Sequence, residues 1–132
     1  MLEVDNVYLQ YGGIPALKGV SLRIDAGEIV GLVGPNGAGK SSLLAAITGQ
    51  RRPSAGTIMF EGQSLLGKAP EHIVRMGIAL VPEGRHIFRG LTVAENLRLG
   101  STIRNDRAAV RQDLEGLLEL FPALKRRYKS LG

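Results

Sequence analysis

Gly34-Pro35-Asn36-Gly37-Ala38-Gly39-Lys40-Ser41 is the stretch that decides how this chain folds. It fits G-x-x-x-x-G-K-[ST] without a mismatch. A chance match in a chain of this composition is roughly a one-in-a-hundred event. Its setting is the one the motif needs. The run Ile29-Val30-Gly31-Leu32-Val33 before it is short, continuous and apolar, which predicts a strand covered on both faces. After it, the pattern predicts a helix from Lys40 to about Thr48, ended by Gly49. Successive backbone N–H groups in such a loop form a nest for phosphate oxygens. Side chains would block that approach, hence Gly34, Gly37 and Gly39 among Asn36 and Ala38. The helix adds its positive N-terminal end. Lys40 supplies a full charge for the β- and γ-phosphates. Ser41 offers a small oxygen ligand for Mg2+, and Ser42 is placed to touch the α-phosphate. The ligand implied is a nucleoside triphosphate with Mg2+. The loop alone does not separate ATP from GTP, or hydrolysis from transfer.

Working outward, Leu2 to Leu9 alternates and reads as a half-buried strand, with Tyr8 sharing the parity of Leu2 and Val4 on its buried face. Tyr11-Gly12-Gly13 breaks it. Val20 to Ile24 alternates again, and Asp25-Ala26-Gly27-Glu28 is a turn. Thr57 to Phe60 predicts a strand ending at Glu61-Gly62. Pro70 to Met76 predicts a helix stopped by Gly77, and Ile78 to Val81 a further buried strand. Thr92-Val93-Ala94-Glu95 is a capping box opening a helix through Leu97. Val110, Leu114, Leu117, Leu118 and Phe121 line one face of a last helix, stopped by Pro122. Strand–helix alternation after an antiparallel start implies a mixed α/β domain.

Composition excludes several classes. The 132 residues hold no cysteine and no tryptophan, which removes disulfide scaffolds, thiolate metal sites and cysteine nucleophiles. Aromatics at 5% argue against a base-stacking nucleic-acid platform, and no nucleic-acid partner is expected. The acidic, alternating start does not read as a signal peptide, and no apolar run has membrane-spanning length, so a cytoplasmic address is expected. The net charge of +5 lies wholly in residues 84–132. His72 and His86 fall at no metal-ligand spacing to acidic residues.

With the phosphate loop placed, the chain resembles the ATP-binding subunits of ABC transporters over essentially its whole length. Tyr11-Gly12-Gly13 through Leu22 looks like that family's adenine-stacking loop and following strand. Ala26-Gly27-Glu28 through Val33 leads into the phosphate loop as in the family. Pro53-Ser54-Ala55-Gly56-Thr57-Ile58 resembles the turn and strand after the first helix. Val81-Pro82-Glu83-Gly84-Arg85-His86-Ile87-Phe88 sits at the Q-loop, and Leu91 to Leu97 opens the helical subdomain. Glu83 in place of glutamine, and the tail Leu120-Phe121-Pro122-Ala123-Leu124-Lys125, are similar to the branch serving branched-chain amino-acid importers and the related urea and short-chain amide importers.

The resemblance implies an α/β P-loop NTPase core with an N-terminal antiparallel β subdomain over 1–90 and the start of a helical subdomain over 91–132. It implies ATP and Mg2+ as cofactors, membrane-spanning permease subunits and a second ATP-binding subunit as partners, and a peripheral place on the inner face of the cell membrane. Tyr11 would lie on adenine, or else pack at a strand end. Glu83 would reach Mg2+ or the attacking water, or else serve as a turn residue. Arg85, Phe88 and Arg89 follow the position where the family docks a coupling helix. The signature motif, the Walker B aspartate, the glutamate after it and the switch histidine are not found in the 132 residues. The sheet is therefore expected to be incomplete, with Ile29 to Val33 unpaired and exposed, hydrolysis by the chain alone very weak or nil, and the isolated chain marginal. The alternative from another class is a nucleotide-binding interaction module without turnover.

Overall fold

The structure is a computed structural model describing residues 1–84 and 86–132. Two compact units form, Met1–Leu80 and Val81–Gly132.

The first unit is built on β1 (Leu2–Tyr11) and β2 (Ile14–Ile24). The two-residue turn Gly12-Gly13 joins them into an antiparallel hairpin, a sequence well suited to such turns. Tyr11 therefore ends one strand of a hairpin whose second strand begins at once, six residues before the expected Val20. Pro15 is tolerated because β2 is an edge strand. After the loop that carries the motif comes α1 (Lys40–Ile47), then β3 (Ala55–Phe60), β4 (Gln63–Ser64) and α2 (Pro70–Arg75). The sheet has the order β2-β1-β3-β4, antiparallel throughout.

A bulge sets the faces of β1. Pairing with β2 shifts between Val4 and Val7, and Asn6 has φ 49°. Its N–H is accepted by Ser21 Oγ at 2.8 Å, so the displaced amide keeps a partner. Beyond the bulge the parity is reversed. Val4, Val7 and Leu9 are buried, and Tyr8 is 41% exposed on the opposite face, contrary to the alternation carried through from Leu2. Leu17, Ile58, Leu65 and Ile73 join them, and α1 closes the core with Leu43, Ala46 and Ile47.

Two expected strands do not form. Ile29–Val33 and Ile78–Val81 have no ladder, and Ile29 and Val33 are 101% and 97% exposed. A run covered on both faces needs strands beside it, and none of the described strands pairs with either run. The exposure of Ile29–Val33 agrees with an incomplete sheet.

The second unit holds α3 (Val93–Leu99), α4 (Arg107–Leu120) and α5 (Pro122–Arg126). Thr92 and Glu95 form the expected capping box at the start of α3. Asn96 reaches back from α3. Its Nδ2 donates to Phe88 O and Thr92 O at 3.0 Å, and its Oδ1 accepts from Phe88 N at 3.0 Å. Pro122 stops α4 and starts α5, where its missing N–H costs nothing. Val110, Leu114, Leu117 and Leu118 are half-buried, while Phe121 is exposed. Arg104 pairs with Asp106 and Asp113, which hold its guanidinium charged and raise its pKa.

Candidate nucleotide-binding site

The site begins where α1 begins. Gly39 is the N-cap, with φ 94°, a left-handed conformation that favours glycine. A Cβ there would also come within 2.6 Å of Ala16 O and 2.9 Å of Leu17 Cδ2. Both requirements exclude a side chain, and the close approach seats the loop against β2. Because Ala16 follows the hairpin turn, the loop and Tyr11 belong to one contiguous piece of structure.

The loop presents its amides. Ala38 N–H is bonded to Pro35 O at 3.2 Å. Among the described residues, the N–H groups of Gly37, Gly39, Lys40, Ser41 and Ser42 have no partner. The last three are the donors that the first turn of any helix leaves open, and together with the helix end they attract an anion. Lys40 turns inward. Its Nζ donates to Gly34 O at 2.7 Å and Pro35 O at 2.8 Å, so two of its three donors hold the loop closed on itself. Phosphate oxygens bearing full negative charge are stronger acceptors than these carbonyls. The ammonium can therefore exchange loop carbonyls for a polyphosphate while staying at the loop mouth.

Ser41 is exposed in the first turn of α1 and Ser42 is half-buried behind it. Among the described residues, no three His, Cys, Asp or Glu side chains gather as a metal cage. The Ser41 hydroxyl is a hard oxygen that would hold Mg2+ at one position, the metal supplying charge neutralisation between phosphates.

Tyr11 stands at the end of β1, 39% exposed, with the Arg51 guanidinium carbon 5.3 Å from its ring centroid. The sequence places Arg51 only in a loop and gives no sign of this contact. Asn96 likewise carries no sequence signal, since its partners are main-chain atoms. Glu83 lies in an exposed turn of the second unit, Phe88 is exposed there, and Arg85 falls outside the described residues.

A phosphate loop with free amides, launching a helix that backs an antiparallel sheet, is a P-loop nucleotide-binding arrangement. A family profile described as ABC transporter matches residues 17–131, and the chain belongs to that family. It is 46% identical over 130 residues to the high-affinity branched-chain amino acid transport ATP-binding protein BraG of Pseudomonas aeruginosa, covering 98% of this chain and 55% of that one. It is 39% identical over 97 residues to LivG of Escherichia coli, a protein of the same description, covering 74% of this chain and 38% of that one. Among solved structures, an ATP-binding subunit of an ABC transporter superposes with TM-score 0.89 at 35% identity, covering 99% of this chain and 54% of that one. The ATP-binding cassette MJ0796 bound to ADP and Pi superposes with TM-score 0.71 at 26% identity, covering 87% of this chain and 55% of that one. The chain spans about half the length or less of these curated relatives.

Proposed function

We propose that this chain supplies the phosphate-gripping part of an ATP-binding subunit in an ABC importer for branched-chain amino acids. The observation that carries the reading is the row of unpartnered amides at Gly37 and Gly39–Ser42, with Lys40 Nζ held at the same mouth. MgATP enters with its phosphates on that row. Lys40 neutralises the β- and γ-phosphates, Ser41 contributes one oxygen to Mg2+, Ser42 contacts the α-phosphate, and the base lies on Tyr11. Glu83 is assigned to Mg2+ or the attacking water. Its carboxylate accepts hydrogen bonds where an amide would also donate. Support for the transported class comes from BraG and LivG, both described as branched-chain amino acid transport proteins.

The same reading assigns the partners. Permease subunits meet the segment of Arg85, Phe88 and Arg89, and a second ATP-binding subunit faces the phosphate loop. For dimerisation itself, the MJ0796 cassette, solved as a dimer, is the precedent. The protein then sits peripherally on the inner face of the membrane. Residues 1–90 serve as core and β subdomain, and 91–132 as the start of the helical subdomain.

Titration of the 132-residue chain with MgATP tests the site. Lys40→Ala is expected to weaken binding at least tenfold, since a charge-assisted contact to phosphate is lost. Undiminished affinity in that variant contradicts the assignment. Uptake of labelled leucine, valine, urea and acetamide in cells lacking the gene tests the transported class, with loss confined to the amino acids expected.

A further inference from the structure

Arg51 belongs to no motif, yet it is the cation in contact with the ring expected to carry the base. Its guanidinium carbon lies 5.3 Å from the Tyr11 centroid, within the range of a cation–π contact. Its backbone is also fixed, because Arg51 N–H donates to Ala45 O at 3.0 Å, inside α1. So α1 carries the phosphate loop at one end and, just beyond the other, the residue that touches Tyr11. Eight residues of helix separate these ends by about 12 Å, comparable with the reach of an extended nucleoside triphosphate.

From this placement we propose that Arg51 is a positioning residue for the purine base. It occupies one face of Tyr11 and holds the ring as a preformed platform for a base stacked on the other face. The inference rests on Tyr11 being the base platform of the proposed ATP site. Tyr11 as a residue is 39% exposed, which leaves room for a ligand beside it. Without the cation, the side chain at the end of an edge hairpin is freer to turn, and ordering it falls to the base. The guanidinium also draws electron density from the ring and so strengthens stacking with an electron-rich purine. Its action is confined to the base, because the phosphates are held by the opposite end of α1.

Calorimetric titration with MgATP and with Mg-tripolyphosphate, which has no base, separates the two readings. Arg51→Ala is expected to weaken MgATP about two- to fivefold, the size of an exposed cation–π contact, and to leave tripolyphosphate unchanged. Arg51→Lys, which keeps the charge, is expected to recover part of the loss. In a Tyr11→Ala background, Arg51→Ala is expected to add nothing, since the two act as one unit. Equal weakening of both ligands, tighter MgATP binding, or an undiminished effect without Tyr11 overturns the role of Arg51 while leaving the phosphate site standing. Failure of the unaltered chain to bind either ligand overturns both.

Discussion

Thr92 and Glu95 exchange hydrogen bonds at the start of α3, and this makes the helix sensitive to acid. Glu95 Oε2 accepts from Thr92 N–H and from Thr92 Oγ1, each at 2.7 Å, while Glu95 N–H donates back to Thr92 Oγ1 at 3.2 Å. The Thr92 hydroxyl bond, then its backbone bond, hold the carboxyl below the usual glutamate range. A depressed folded-state pKa contributes stability above the unfolded value, and that contribution is lost as pH falls through the folded value. The window therefore opens near the ordinary glutamate pKa, about 4.3, and extends below it. Amide exchange, corrected for its intrinsic pH dependence, should show the Thr92 N–H losing protection across that window. Glu95→Gln should flatten the dependence, because an amide oxygen still accepts the bond but does not titrate. An unaltered acid response in Glu95→Gln would place the titration elsewhere. The motif made this contact legible in advance, since capping chemistry is local. The Arg51–Tyr11 contact was not legible, because it joins residues forty positions apart and depends on how α1 lies on the hairpin.

Among the elements, the register of β1 against β3 turns on one crowded crossing. Gly56 has φ 92°, and a Cβ on it would stand 2.4 Å from Asn6 O and 2.6 Å from Val7 Cα. Both obstacles are backbone, so neither can swing aside. Gly62 is a fitting control, with φ 73° and nothing within 4 Å of an added Cβ. Gly56→Ala should destabilise the first unit by about 2–4 kcal/mol, combining left-handed strain with overpacking. Gly62→Ala should cost about 1 kcal/mol from strain alone. Chemical denaturation reads both, and equal costs would show that the crossing yields. This bulge also explains why alternation misplaced Tyr8. Period two identifies faces only while the chain remains in register, and Asn6 inserts a residue that no hydrophobic pattern announces. By contrast α1 was legible almost to the residue, because glycine, lysine and helix chemistry fix its start. At Ile29–Val33 and Ile78–Val81 the apolar pattern predicts strands, but apolarity does not report whether a neighbouring strand exists to complete the ladder.

For the molecule as a whole, the apolar runs left outside the sheet decide its solution behaviour. Ile29, Val33 and Val81 are each more than nine-tenths exposed, and Ile29 and Val33 flank a segment whose backbone has no ladder. Exposed apolar surface with unpaired main chain invites association. The 132-residue chain should therefore bind an apolar dye such as anilinonaphthalene sulfonate and sediment as larger species as concentration rises. It should show no sharp melt without ligand above about 45 °C, where the usual mesophile range begins. Replacing Ile29 and Val33 together by lysine should reduce both dye binding and association while leaving the Lys40 loop able to take MgATP. The two effects are separable because the free amides proposed to meet phosphate start at Gly37, beyond the altered residues. Ligand at a hundred times its Kd should add about 2.7 kcal/mol to the folded state, so MgATP should raise the melting temperature of both forms. A cooperative melt above that temperature in the unliganded chain, with no dye bound, would mean that Ile29–Val33 finds cover in solution.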